Sequence, residues 1–221
     1  MSLKRVAVVV FPGTNCENDV VIGLKRVGVD SEKVWHKETD LDGFSGVVVP
    51  GGFAHGDYLR PGAIARFSPV MASVIKFAKA GAPTLGICNG FQVLTEAGLL
   101  PGALQKNAGL SFLCETVSVE VACSNSILTR GIELGTELKI PINHFEGNYT
   151  ASADVIEQLE SEDRVVLRYL DNPNGSVNSI AGISNARGNV VGLMPHPERA
   201  TDPLSGLIDG LELLSAFRDS L

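Results

Sequence analysis

The sequence predicts an α/β fold: an open, mostly parallel sheet flanked by helices, with a mixed or antiparallel extension in the C-terminal half. Three observations lead there. Short β-branched apolar runs without alternation end in turn signals, as strands buried on both faces do. Helical patterns lie between these runs, and strand, helix, strand order in one sheet implies right-handed crossovers. Past about residue 110, strict alternation replaces the continuous runs and marks strands covered on one face.

Residues 6–11 form the first continuous run, and Pro12-Gly13 stops it. Val20, Leu24 and Val27 then fall at i, i+4 and i+7, one face of a helix that ends at Gly28. Val47-Val48-Val49 runs into Pro50-Gly51-Gly52 as a second strand. Phe67, Val70, Met71, Val74, Ile75 and Ala78 make a fuller helical stripe, with Lys76 and Lys79 off it and Gly81 as its stop. Residues 84–88 are the third strand, and residues 89–97 a helix closed by Gly98. Val117, Val119 and Val121 alternate with Ser118, Glu120 and Ala122. Further strands are expected at 138–142, 165–170, 180–184 and 189–194, the last two joined by a hairpin turn at Asn185-Ala186-Arg187-Gly188. Residues 171–178 read as a loop, and a last helix presents Leu207, Ile208, Leu211, Leu214 and Phe217. No repeat or linker divides the chain, so residues 1–221 read as a single domain.

Composition narrows the function. The chain has 221 residues, 44% of them hydrophobic, which suits a sizeable core and excludes disorder. With 18 Lys and Arg against 25 Asp and Glu the net charge is −7, the wrong balance for nucleic acid as the main ligand. No apolar run approaches the ~20 residues of a membrane-spanning helix. Lys4-Arg5 before the first run faintly mimics a signal peptide, but the run is short and no small-x-small cleavage site follows, so a cytoplasmic chain is expected. Cys16, Cys88, Cys114 and Cys123 form neither a CxxC pair nor a zinc-ligand spacing, and reduced thiols are expected.

The chemistry should sit outside the carboxyl ends of the strands. Gly86-Ile87-Cys88-Asn89-Gly90 occupies one such end and has the form G-x-C-x-G, the cysteine version of a nucleophile elbow. Its glycines leave room for a strained Cys88 backbone, and the helix that follows aims its positive end at the sulfur, favouring thiolate. A cysteine at a strand end is ordinarily a small hydrophobe; the flanking glycines reverse that weighing. Met194-Pro195-His196-Pro197-Glu198 follows another strand. Residues two apart in an extended segment point the same way, so Glu198 can hold the His196 ring while His196 acts as base. A lone His-Pro-Glu is more often a solvated loop, and its pairing with the elbow makes it a candidate. At a third strand end, the Gly52 and Asn89 N–H groups would face a developing oxyanion. The order Cys, His, Glu departs from that of α/β-hydrolases. Gly51 and Gly56 have P-loop spacing, but Asp57 stands where a P-loop needs Lys, so no phosphate cradle is expected.

Together these segments resemble class I, triad-type glutamine amidotransferases. Residues 86–92 follow that family's G-x-C-x-G-x-Q elbow, and His196-Pro197-Glu198 its H-P-E. Within the class, residues 11–16, 50–63 and 192–200 resemble the separate glutaminase subunits of phosphoribosylformylglycinamidine synthase, and the resemblance runs over nearly the whole chain. It implies a flavodoxin-like sheet, a Cys88 nucleophile, a His196 base and a Glu198 orienting acid. It also implies Gln92 against the glutamate part of the substrate, with oxyanion donors at Gly52 and Asn89. The implied reaction is hydrolysis of L-glutamine through a γ-glutamyl thioester. The ammonia passes to a large synthetase subunit that makes formylglycinamidine ribonucleotide, with a small accessory subunit in the same complex. ATP and magnesium are expected on that synthetase, and no cofactor or metal in this chain. Two positions depart from the family pattern: Phe145 after His144, where a small residue is usual, and His55, where an aromatic hydroxyl is usual.

Three other readings stay open: an amidotransferase serving another synthetase, a deglycase- or peptidase-like cysteine hydrolase of related fold, and a binding module with a degenerate site. Cys16, Arg60, Arg66, Trp35 and His36 are read as structural or solvated, and Cys114 and Cys123 as buried thiols.

Overall fold

A computed structural model describes residues 4–221. In chain order the N-terminal half is β1 (Arg5–Val10), α1 (Glu17–Arg26), β2 (Asp30–Trp35), β3 (Gly46–Val49), α2 (Pro69–Lys79), β4 (Thr84–Ile87) and α3 (Asn89–Glu96). The rest is β5 (Ala103–Gln105), β6 (Leu113–Val121), β7 (Glu137–His144), β8 (Asn148–Thr150), α4 (Ala153–Ser161), β9 (Val165–Tyr169), β10 (Ile180–Ser184), β11 (Val190–Leu193) and α5 (Gly210–Ser220). Among the described residues, nine strands form one sheet in the order β2-β1-β3-β4-β11-β10-β9-β6-β7, and β5 and β8 make a separate pair.

The expected division of the sheet is present. From β2 to β11 neighbouring strands run parallel, and from β11 to β7 they run antiparallel. β3 and β4 are buried at every residue, as two-sided apolar strands must be. The hairpin between β10 and β11 forms as read, with Asn185 N bonded to Val190 O at 3.0 Å.

Four expectations need correction. β2, α4 and the short pair β5 and β8 are absent from the sequence reading. β2 is an edge strand whose Asp-Ser-Glu-Lys stretch stays at the surface while Val34 alone is buried, so it has no apolar run. α2 begins at Pro69, with Ser68 extended before it, which leaves Phe67 outside the helix and 74% exposed. α5 begins at Gly210, so Leu207 and Ile208 precede it; Leu207 instead bridges to Asp202. Cys123 is buried as expected, but Cys114 is exposed, because β9 pairs only with Val119 to Val121 and leaves the start of β6 bare.

What matters for the site is the register at the sheet centre. β4 and β11 pair parallel with Ile87 opposite Leu193, and Cys88 N donates to Leu193 O at 2.8 Å. Cys88 and the segment leading to His196 therefore leave the sheet side by side. α3 packs on β3, β4 and β11 just beyond.

Candidate active site

The elbow is as sharp as its glycines allow. Cys88 has φ 50° and ψ −108°, a conformation a side chain rarely takes, and it caps α3. A Cβ on Gly90 would lie 1.8 Å from the Val49 carbonyl oxygen, and one on Gly86 would lie 2.8 Å from the Gly90 backbone. No other residue type fits either position. The Cys88 side chain is 6% exposed and its Sγ lies 3.7 Å from Asn143 O.

His196 arrives from the end of β11 and is fixed by its own N–H, which donates to Pro141 O at 2.8 Å. Its Nδ1 lies 2.6 Å from Glu198 Oε1, with the two residues 1% and 3% exposed. Burial opposes charge on this ring. The Glu198 carboxylate and the sulfurs of Cys88 and Cys16 outweigh it and raise the His196 pKa well above the usual imidazole range. Nε2 has no hydrogen-bond partner among the described residues. The side chains converge over Gly51, where an added Cβ would meet His196 Cε1 at 2.7 Å, Cys16 Sγ at 3.1 Å and the Cys88 Cβ at 3.4 Å.

Cys16 thus packs beside the His196 and Glu198 side chains, next to Gly51. It caps α1, accepts from Arg199 Nη2 at 3.1 Å and donates to Asn15 Oδ1 at 3.2 Å. Its sulfur lies within 4.8 Å of the ligand atoms of both His196 and Glu198. Nothing in its own sequence neighbourhood signals this, because the contact is made across more than half the chain.

A cavity of about 280 Å³, the size of a small amino acid derivative, opens beside Cys88. Gly52, Asp57 and Arg60 line it from the loop after β3, Gln92 from α3, and Asn143 to Glu146 from the end of β7. The Asn89 amide ties these parts together, accepting from Ala54 N at 3.0 Å and donating to Asp57 Oδ1 at 3.1 Å and Gln92 Oε1 at 2.8 Å. Gln92 Nε2 donates in turn to Glu146 O at 2.5 Å. The Asn89 backbone opens α3, next to Cys88. His144 is buried, with Nδ1 3.1 Å from Asn107 Oδ1, and burial and the His196 charge push it down to about 4. Phe145, the departure from the family pattern, lines the cavity too. Asp57 was missed as a site residue. The only sequence signal was its place in a glycine-rich strand end, where His55, Asp57 and Leu59 all take positive φ.

Residues 3–207 match the CobB/CobQ-like glutamine amidotransferase domain family. The chain is 55% identical over 210 residues to phosphoribosylformylglycinamidine synthase subunit PurQ of Rubrobacter xylanophilus, covering 95% of this chain and 96% of that one. It is 53% identical over 214 residues to the subunit of the same name from Synechococcus elongatus, covering 96% and 97%. Among solved structures, a chain of the PurLQS structure from Thermotoga maritima superposes with TM-score 0.91 at 41% identity, covering 98% of each. A family match over most of the length, joined to such identities, decides membership: the chain belongs to the glutamine amidotransferases and, within them, to the PurQ subunits of phosphoribosylformylglycinamidine synthase.

Proposed function

We infer that this chain hydrolyses L-glutamine and delivers the ammonia to a synthetase subunit that converts formylglycinamide ribonucleotide to formylglycinamidine ribonucleotide in purine biosynthesis. Near-complete coverage by PurQ relatives supports this reading. The observation that carries the chemistry is the buried His196, bonded to Glu198 at 2.6 Å and turned to Cys88 at the cavity.

Glu198 holds the His196 ring charged, and Cys88 attacks as the thiolate. The sulfur attacks the side-chain amide carbon, and the oxyanion is met by the backbone N–H groups of Gly52 and Asn89. His196 gives its proton to the departing nitrogen, ammonia leaves, and a γ-glutamyl thioester remains. The now neutral ring takes a proton from water, whose oxygen replaces the sulfur to release glutamate. Gln92 shapes the wall against the glutamate part, supported by its bonds to Asn89 and Glu146. ATP and magnesium belong to the synthetase in this scheme, and a small accessory subunit completes the complex. We also read the chain as one domain, supported by its continuous nine-stranded sheet, and as cytoplasmic, in keeping with its purine-biosynthesis relatives. No helix among the described residues is long and apolar enough to cross a membrane.

Cys88→Ala in the assembled complex is the test. Glutamine-dependent synthesis should vanish while synthesis from free ammonia persists. Loss of both would make Cys88 structural and end this reading.

A further inference from the structure

The cavity wall carries hydrogen-bond acceptors that hydrolysis does not use. Asp57 comes from the loop after β3 and Glu146 from the segment after β7, and both line the cavity with Cys88. Asp57 is half-buried, and burial first, then the Glu146 charge, pushes its carboxyl up to about 6 against the opposing Asn89 bond. Two carboxylates in one concave site repel each other and favour a positive group beside them.

His144 is an independent sign. It is 4% exposed and lines the same cavity. Asn107 Oδ1 also accepts from Gly147 N, so it is an acceptor toward His144, whose Nδ1 must carry the proton. Its Nε2 is then a bare lone pair, unpartnered among the described residues. Arg60 does not neutralise this wall, because its guanidinium is held by Glu96 through bonds of 2.6 and 2.7 Å. Such a wall fits a cation with several N–H donors. With the reacting amide at Cys88, the other end of glutamine brings an α-ammonium group.

Resting on the glutaminase reading above, we propose that Asp57, with Glu146 near it, accepts the substrate's α-ammonium group and so makes the site select an α-amino acid amide over a simple amide.

Asp57→Asn isolates the charge. Asp57 has φ 53°, a region that Asn also tolerates, and an Asn Oδ1 still accepts from Asn89. The assay is glutamate or glutarate release by the assembled complex from glutamine and from glutaramate, which is glutamine without its α-amino group. The ratio of kcat/KM values, glutamine over glutaramate, should fall about 10- to 100-fold in the variant, the worth of one charged hydrogen bond. An unchanged ratio overturns the proposal, whether both activities fall together or neither does.

The wild-type ratio against pH tests the same point without a variant. It should fall as Asp57 takes up a proton below about pH 6. Cys88 and His196 serve both substrates and cancel in the ratio. His144 stays neutral across this window, and Glu146 and Asp57 act on the same substrate group. A flat ratio from pH 5 to 8 also overturns it. A wild type that releases no glutamate from glutamine sinks the glutaminase reading itself, and this proposal with it.

Discussion

Gly90 shows how narrow the tolerance is at single positions. Gly90→Ala puts a methyl carbon 1.8 Å from a backbone oxygen that cannot move without breaking β3, so we expect a loss of more than about 3 kcal/mol, read from urea unfolding. Glu198→Gln keeps an acceptor for His196 Nδ1 but removes the charge that holds the ring protonated. Its kcat should fall roughly 10²- to 10⁴-fold with KM little changed, in steady-state glutaminase assays. Asp57 has a consequence for stability as well. Its folded pKa is raised, so ionisation penalises the folded protein as pH climbs from its unfolded value of 3.8 through about 6. Asp57→Asn should therefore stabilise the substrate-free protein at pH 8 by on the order of 1 kcal/mol after solvent screening, read as a raised Tm, and leave it unchanged near pH 4. Cys88, His196 and Glu198 were legible because glycine spacing and a proline-flanked His-x-Glu are local patterns. Asp57 and Cys16 were not, since their meaning comes from Glu146, Asn89, Arg199 and His196, all distant in sequence.

Between helix and sheet, the fit is set by α3 against β11. A Cβ on Gly192 would lie 2.1 Å from Phe91 and 2.7 Å from Leu100, so Gly192→Ala must push α3 off the sheet. Because α3 carries Cys88 at its start, thermal melts should show roughly 1–3 kcal/mol of destabilisation, and glutaminase assays a lowered kcat. The Ala changes no reacting group, so lost activity would report helix position alone. Continuous apolar strands and the β10–β11 hairpin were readable because burial on both faces and turn chemistry leave local marks. β2 left none: an edge strand with one buried side chain resembles a surface loop. α4 buries only Leu159 and likewise shows too thin a stripe.

Across the whole molecule, α5 closes the structure. Phe217 and Leu221 fill the space that a Cβ on Gly46 would need, and Gly210 N bonds to Ala200 O at 2.8 Å, just past Glu198. α5 also packs against α1 and the short turn Pro197–Arg199. Deleting residues 210–221 should abolish cooperative unfolding and glutaminase activity together, seen by circular dichroism and by assay, although the family match ends at residue 207. The mixed sheet was legible as a change from runs to alternation; the strand order was not, because only the three-dimensional pairing brings β11 beside β4.

That pairing has an evolutionary consequence. Cys88 and His196, the nucleophile and base we propose, leave adjacent parallel strands whose register is locked, whereas Asn143 to Glu146 descend from the outermost antiparallel strand. Drift at Phe145 and Glu146, beyond the Pro141 carbonyl that holds His196, can then retune which amide is admitted while that anchor persists, so descendants of this scaffold can diversify in appetite while inheriting one chemistry.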